Sequence, residues 1–511
     1  MEINLPRIID ATMPNRGDRN VNIISSSNGP NHNESGFLSS NFPRSPPKLY
    51  ITAEDDEFDV LTLNEWKDEG FNVEYLSMGN GGKEYIRKLE SLSRAKLGPC
   101  ETYGIVAYGD AAGYCLEHFH IMDNNPEFKL SCLIAYYPSR IPDPRTQFPG
   151  SIQVLVHLVS GDVVGIVKQT QMVGIQGKKR TVSSNVEPGM GTGGLSQMAY
   201  PSYTYDAAPG FAEHDMEDFD RVSAELSWSR SLATARRAFR KDVDLETVVE
   251  KNVDNKFYKR NLQQTMSTYS AHKSPHVTYV PTLTGGIGSD ELQRFYSEFF
   301  LSRNPPSMKL TLLSRTVGTD SVVDELHIAF KHTQEMPWIL PGIPPTKKRV
   351  EIVAVSIVNV RGGRLYHEHV YWDQASVLVQ VGLLDPKVVP QKASERGVKR
   401  LPVVGKDAAR RLLRGYDEGD EGEATNDLIA EWNDDIDDDA DDDDKVENGE
   451  STKTNGKTEE NKADDSDVEE SKVEDSKAEG NTENSKGKEP ERVTPSPPPP
   501  VEDEKADANQ Q

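Results

Sequence analysis

A glycine-bracketed turn between an apolar strand and a helix constrains the fold of this 511-residue chain more than any other feature. Residues 102–108 have the composition of a short buried strand, and residues 112–121 that of a helix. Gly109 and Gly113 lie on either side of the junction. Glycine tolerates the sharp, crowded backbone that such a junction needs. The segment therefore predicts an α/β domain with a doubly wound parallel sheet.

The same turn resembles the nucleophile elbow of α/β-hydrolases, and residues 48–240 resemble the dienelactone hydrolase family. That family has a Cys, Asp, His triad in chain order. The resemblance puts Ala111 at the nucleophile position, Asp162 at the acid position and Pro209 at the His position. A methyl group cannot attack a carbonyl, and an Asp orients a base without replacing one. The resemblance thus implies a hydrolase-type fold with a degenerate triad.

Two other arrangements would restore activity to this first region. Cys115 and His118 form a displaced dyad if both face one pocket, although a Cys on a packed helix is usually a buried apolar residue. His157 lies inside an apolar strand, where a hydrogen-bonded core histidine is the favoured interpretation. An active ester or enol-lactone hydrolase is therefore the least favoured function.

The negative charge of the chain is confined to its last part. Residues 415–511 carry 35 acidic and 10 basic residues, so their net charge of −25 equals that of the whole chain. Such a composition cannot bury enough apolar surface to offset chain entropy, which predicts a disordered acidic tail. Residues 1–47 also lack a core pattern and are predicted to be disordered. Like-charge repulsion disfavours nucleic acid as a partner.

One apolar group interrupts the acidic tail at roughly helical spacing. It is either a segment that folds onto the groove of a protein partner or a scatter of hydrophobic residues in a linker. Its members are Leu428, Ile429, Trp432 and Ile436.

The chain shows no sign of a leader, a membrane span or a bound metal. No charged segment precedes an apolar one at the N-terminus, and no run approaches 18 apolar residues. Cys100, Cys115 and Cys132 fit a reducing compartment, and their spacing does not suggest zinc. We therefore expect a soluble cytoplasmic protein with no membrane partner, no cofactor and no metal.

Residues 241–390 form a second region, in which helices come first and strands follow, and residues 391–414 read as a linker. This order predicts an α+β domain whose curled antiparallel sheet wraps into a cone. The predicted strands are 309–316, 322–332, 349–360 and 365–372.

The end of the second region resembles a SnoaL-like polyketide cyclase domain of the nuclear-transport-factor-like superfamily. The resemblance rests on residues 363–374, a hairpin strand ending in Asp373, and on the following residues 378–384. It implies that Asp373 is the acid/base of the pocket. Many members of this superfamily only bind or dimerise, so a homodimer through this region is also expected.

Strand periodicity divides the last strand into two faces, one of which lines the cone. His367, His369 and Asp373 share one face and would form an acid/base site there. The alternative places Glu368 and Trp372 inside, with the two histidines at solvent or an interface. A metal at the His-x-His pair is disfavoured because no third ligand has a recognisable spacing. Further candidates from the neighbouring strand are Asp324, Glu325 and His332.

The segment 338–345 is apolar and proline-rich between two predicted strands. It is either a lid or packing surface of the cone, or a patch that docks the two regions together. The second interpretation is favoured because an exposed Trp-Ile-Leu patch would be a liability.

These observations favour a protein whose second pocket binds, isomerises or cyclises a small carbonyl or polyketide-like compound by cofactor-free acid/base chemistry. The alternative is a non-catalytic scaffold that uses its pockets and acidic tail to bind partners.

Overall fold

A computed structural model describes residues 46–93, 97–98, 101–172, 175–186, 198–271 and 274–414, with only the backbone at 169–179. These residues all belong to one compact unit. Of the predicted disordered segment 1–47, residues 1–45 fall outside this part of the chain, and so does the whole predicted acidic tail. So does the predicted partner segment of Leu428, Ile429, Trp432 and Ile436.

The first region is built on a six-stranded parallel sheet of order β2-β1-β3-β4-β6-β9. Its central strands are continuous apolar runs, as expected for a sheet covered on both faces. The strands are β1 Lys48–Ala53, β2 Asn72–Ser77, β3 Tyr103–Tyr108, β4 Leu130–Tyr136, β6 Gln153–Val159 and β9 Ser202–Tyr205. The helices are α1 Val60–Asp68, α2 Gly82–Leu92, α3 Gly109–Phe119 and α4 Arg221–Phe239. Short 3₁₀ turns cover Met122–Asn124 and Pro126–Phe128.

A second, three-stranded sheet in this region has the order β5-β7-β8 and was absent from the prediction. Its strands are β5 Arg140–Pro142, β7 Val163–Met172 and β8 Ile175–Asn185. The hairpin β7-β8 begins directly after Asp162, so it extends the chain away from the predicted acid position.

The second region is a six-stranded sheet of order β11-β10-β15-β14-β13-β12, antiparallel except for the β10-β15 pair. Helices precede and interrupt the strands, as the sequence predicts for an α+β arrangement. The strands are β10 His276–Tyr279, β11 Thr284–Ile287, β12 Lys309–Val317, β13 Ser321–Lys331, β14 Arg349–Arg361 and β15 Arg364–Trp372. The helices are α5 Leu245–Val253, α6 Leu262–Met266, α7 Gly288–Arg294, α8 Gln374–Gln380, α9 Gln391–Ser394 and α10 Asp407–Arg414. Two π-helical turns cover Asp254–Tyr258 and Phe295–Phe300.

The apolar segment 338–345 does not dock the two regions together, and the favoured prediction is wrong on this point. Trp338, Ile339 and Leu340 are at most 1% exposed and belong to the core cluster of the second region. The Trp338 indole donates a hydrogen bond to Asn304 Oδ1 at 2.8 Å. The segment therefore closes the core of its own region, because burial there removes the apolar patch from water.

Within the described residues, no helix combines the length and apolar character that a membrane span requires.

Candidate functional site

An ion pair lies in the core of the second region. Lys256 Nζ donates to Glu368 Oε2 at 2.6 Å, and the two residues are 1% and 5% exposed. Taking two charges out of water costs several kcal/mol per ion, about as much as their attraction returns. A pair of this kind therefore adds little net stability, and its presence calls for another explanation.

Three hydroxyl groups complete the network around the Glu368 carboxylate. Tyr269 donates to Oε2 at 3.4 Å and Ser356 donates to Oε1 at 3.2 Å. The Tyr269 and Tyr296 hydroxyls lie 2.6 Å apart. Burial raises the pKa of both tyrosines well above the ordinary value, so both keep their protons as donors. We call Lys256, Glu368, Tyr269, Tyr296 and Ser356 the core polar cluster.

Both π-helical turns of the structure contribute to the core polar cluster. Lys256 lies in the turn Asp254–Tyr258, and Tyr296 lies in the turn Phe295–Phe300. A π-turn has a wider backbone than an α-helix and occurs often at functional sites. The first turn thus places a cation against the carboxylate, and the second places a phenol against the Tyr269 hydroxyl that bonds with it.

Aromatic rings surround this cluster. Tyr279 lies at the centre of a group of rings whose centroids are between 5.2 and 6.1 Å from its own. The partners are Phe295, Phe300, Trp338 and Trp372. An apolar shell of this kind lowers the local dielectric and strengthens the electrostatic interactions inside it.

The structure places the predicted histidines on the opposite face of β15 from the core polar cluster. Glu368, Val370 and Trp372 are buried, whereas His367 and His369 are partly exposed. The reason is a β-bulge opposite Asn359 and Val360, which adds one residue to β15 and changes the phase of the alternation.

His367 and His369 stack with a third histidine that the sequence did not associate with them. The ring centroids of His276 and His367 are 5.0 Å apart, and those of His367 and His369 are 4.9 Å apart. Burial, followed by the charges of neighbouring groups, lowers the pKa of His276 to about 4 and that of His367 to about 3. The three rings are therefore neutral at neutral pH. In the described part of the chain, no group of three or more His, Cys, Asp or Glu residues has the arrangement of a metal site.

Asp373 lies at the N-cap of α8 and is exposed. Its carboxylate accepts hydrogen bonds from the Ala375 backbone N–H at 3.0 Å and from the Ser376 hydroxyl. A residue in this position satisfies the unpaired donors at the start of a helix. Asp373 makes no hydrogen bond with His367, with His369 or with the described members of the core polar cluster. Its acid/base role stays a prediction.

The other predicted residues of this region have separate partners. Asp324 is 2% exposed and accepts from Arg315 at 2.7 and 2.9 Å. Glu325 accepts from Ser314 at 3.0 Å, and His332 bonds with Thr346 at 3.1 Å. The structure thus does not bring them to one pocket.

In the first region, the strand-to-helix turn falls two residues earlier than the resemblance places it. Gly109 has φ +53° and begins α3, whereas Ala111 lies in the helix and is fully buried. The carboxylate of Glu54, after β1, accepts a hydrogen bond from the Asp110 N–H. Desolvation raises the pKa of Glu54. Gly109 and Ala111 both lack a nucleophilic side-chain atom.

The remaining triad positions do not complete a catalytic arrangement. Asp162 is exposed and accepts a bond from the backbone N–H of the next residue at 2.7 Å. Pro209 is also exposed, in the loop that follows β9. Ala111, Asp162 and Pro209 thus all follow the carboxyl ends of parallel strands, but they do not form a catalytic triad.

The alternative nucleophile and the strand histidine are both structural. Burial raises the pKa of the Cys115 thiol to about 12, and its sulfur lies 3.4 Å from the Tyr85 hydroxyl. His118 instead contacts Asn124, so the displaced dyad does not form. His157 is fully buried and bonds with Tyr205 and Ser231, both at 2.8 Å, which confirms a core histidine.

Sequence reasoning missed two polar pairs at the carboxyl edge of the parallel sheet. Asp59 Oδ2 lies 2.7 Å from His214 Nδ1. Tyr137 donates to Glu213, whose pKa burial raises to about 7. The only available signal was the adjacent Glu213-His214 pair after β9, because ligands of open α/β sheets bind at this edge.

Comparisons with known proteins give a fold likeness over a minor part of the chain. No family model matches the sequence, and no curated protein matches it. Among similar solved structures, AclR, a putative hydroxylase from Streptomyces galilaeus, is 17% identical, with 30% of this chain and 92% of that one covered at TM-score 0.23. A putative SnoaL-like polyketide cyclase from Jannaschia is 14% identical, with 28% and 99% covered at TM-score 0.24. A ketosteroid-isomerase-like protein from Catenulispora acidiphila is 14% identical, with 28% and 97% covered at TM-score 0.22.

The descriptions of the last two name a SnoaL-like cyclase and a ketosteroid-isomerase-like fold, and each match covers 28% of this chain. The dienelactone hydrolase resemblance of residues 48–240 finds no support in them. The chemistry of the site accordingly rests on its own geometry.

Proposed function

We propose that the second region binds a small carbonyl compound at the core polar cluster and catalyses proton transfer on it without a cofactor. The observation that carries this proposal is the buried contact of the Lys256 ammonium and the Tyr269 hydroxyl with the Glu368 carboxylate. We assign to Glu368, which faces the core from β15, the acid/base role that the resemblance implies for Asp373, the residue that follows this strand.

The proposed reaction is an enolisation. Glu368 removes a proton from the carbon next to the carbonyl, and its carboxylate becomes a carboxylic acid. The Lys256 ammonium and the Tyr269 hydroxyl stabilise the negative charge on the enolate oxygen. Glu368 then returns the proton to the same or another carbon, which gives exchange, isomerisation or ring closure of the substrate.

The test is deuterium exchange into a panel of enolisable ketones and 1,3-diketones in D₂O, measured by mass spectrometry. Glu368→Gln keeps the side-chain volume and removes the base, so the enzyme-dependent rate should fall by about two to four orders of magnitude. Glu325→Gln is the matched control, because Glu325 lies on the same sheet outside the cluster. Exchange that survives Glu368→Gln, or no exchange with any member of the panel, would contradict the proposal.

A non-catalytic binding protein is the second candidate, and the filled core favours it. Trp338 and its neighbours occupy the interior of the second region, so a ligand must displace side chains to reach Glu368. In this case Glu368→Gln and Asp373→Asn should both be silent in cells. Substitution of Trp432 in the acidic tail should instead cause a loss of function in cells.

A further inference from the structure

A cavity of about 170 Å³ lies where the two regions meet. Tyr108 and Tyr136, at the ends of β3 and β4, line one side of it. Arg221 and Trp228 of α4 line a second side, and Arg361 of β14 lines a third. The cavity is separate from the core polar cluster, none of whose members lines it.

Two buried donors of this cavity have no acceptor among the residues that the structure describes. Arg361 is 6% exposed, and its terminal nitrogens bind Asp320 and Glu225, but its Nε has no hydrogen-bond partner. Trp228 is 7% exposed, and its indole Nε1 also has none. The Arg361 guanidinium carbon lies 5.1 Å from the centroid of the Trp228 ring, so the two donors are neighbours. A buried donor without an acceptor loses its hydrogen bond to water on folding, and a bound acceptor would recover that loss.

Two arginines and two carboxylates line this cavity. Arg361 pairs with Glu225 Oε2 at 2.7 Å, and Glu65 Oε1 lies 3.9 Å from His214 Nε2. Arg221 bonds through its guanidinium with the neutral His276 ring, at 3.4 Å, and no carboxylate of the described residues lies within ion-pair distance of it. A cation without a carboxylate partner beside two unpaired donors favours a ligand with a carboxylate group.

We propose that this cavity binds a small organic monocarboxylate. The two carboxylate oxygens would accept from Arg361 Nε, Trp228 Nε1 and the Arg221 guanidinium, and the apolar part would contact Tyr108 and Trp228. A cavity of about 150 Å³ holds a benzene molecule, so this one accommodates an acid with a short chain or a single ring.

The experiment follows the indole N–H signals of the full-length ¹⁵N-labelled protein by NMR, with Trp228→Phe used to assign the signal of Trp228. Butyrate and benzoate are the probes, and butyramide and sodium chloride are the controls for charge and for ionic strength. Butyrate or benzoate should move the Trp228 signal in a saturable manner, and butyramide should not. A shift that is linear, or that sodium chloride reproduces, would mean a water-filled cavity and overturn the proposal.

Arg221→Gln provides a variant that should fold, because the residue is exposed on the first turn of α4. Loss of one charged hydrogen bond should weaken butyrate binding by about tenfold or more. Arg294→Gln, an exposed arginine of α7, should bind as the unmodified protein does. Equal binding by Arg221→Gln, or equal affinity for butyramide, would exclude a carboxylate site. None of these outcomes depends on Glu368, so the test is independent of the proposed function.

Discussion

The Glu54 carboxylate accepts a hydrogen bond from the Asp110 backbone N–H at the first turn of α3. The protein's own anion thus occupies the backbone donor that an elbow would offer to a substrate oxygen. A side chain added at Gly109 would collide with Glu54. The backbone donor of Asp110 is therefore already used, and position 109 has no room for a side chain.

This closure predicts that the first region does not react covalently with activated esters. Neither Gly109 nor Ala111 has a nucleophilic atom, and the Cys115 thiol is buried with its pKa raised to about 12. Incubation with p-nitrophenyl esters should give no burst and no mass increase of the intact protein. An acyl group mapped to Cys115 would revive the displaced dyad.

Removal of Lys256 should destabilise the protein strongly. Lys256→Met leaves the Glu368 carboxylate buried without its cation, which should reduce the free energy of unfolding by about 3–5 kcal/mol. The double variant Lys256→Met with Glu368→Leu should recover most of this loss in chemical denaturation, because two apolar side chains replace the pair. If the double variant regains stability but has no exchange activity, the ion pair is needed for activity rather than for stability. A double variant that restores activity would argue against the proposed base.

Glu213 should make stability depend on pH in the neutral range. Burial raises its pKa from 4.5 to about 7, so the folded state binds the proton more tightly than the unfolded state. Its contribution is complete below pH 4.5 and is lost as pH rises through about 7. Glu213→Gln should reduce this loss by about 1–2 kcal/mol, discounted for partial exposure. Urea denaturation across this range measures the difference, with exposed Glu217→Gln as control. Parallel curves for both variants would contradict the shift.

The histidine stack should act in the opposite direction at lower pH. The pKa values of His276 and His367 fall from 6.5 to about 4 and about 3, so the unfolded state binds protons first as pH decreases. Stability from these groups is complete above about pH 6.5 and is lost as pH falls toward 3. His367→Asn should lessen the acid-induced loss by about 1–2 kcal/mol, since partial exposure limits the effect. An unchanged acid midpoint would contradict the lowered pKa of His367.

Removal of residues 415–511 should leave the thermal transition of the rest nearly unchanged. All of the net negative charge lies in this segment, and residues 1–414 are neutral by composition. Differential scanning calorimetry of the full chain and of residues 1–414 measures the effect. A decrease of several degrees would mean that the acidic segment stabilises the folded part.

Strand and helix positions were predictable from periodicity, whereas the face of β15 was not. The predicted strand 349–360 corresponds to Arg349–Arg361, and 365–372 corresponds to Arg364–Trp372. Simple alternation from buried Leu365 puts His367 inside, but the bulge at Tyr366 reverses the phase and puts Glu368 inside. Because of that single extra residue, the inner face carries Glu368 in place of the predicted His367 and His369. Lys256 escaped notice because an isolated lysine in a helix normally faces water.

The sequence by itself indicated the two larger sheets, the Ala at the predicted nucleophile position and the segregation of charge into the tail, because these depend on residue type and local period. Only the tertiary structure decided which polar groups meet. Lys256 and Glu368 are 112 residues apart, and Trp228 and Arg361 belong to different regions of the chain. Contacts between distant segments depend on bulges, π-turns and packing angles, none of which has a periodic signature in a single sequence.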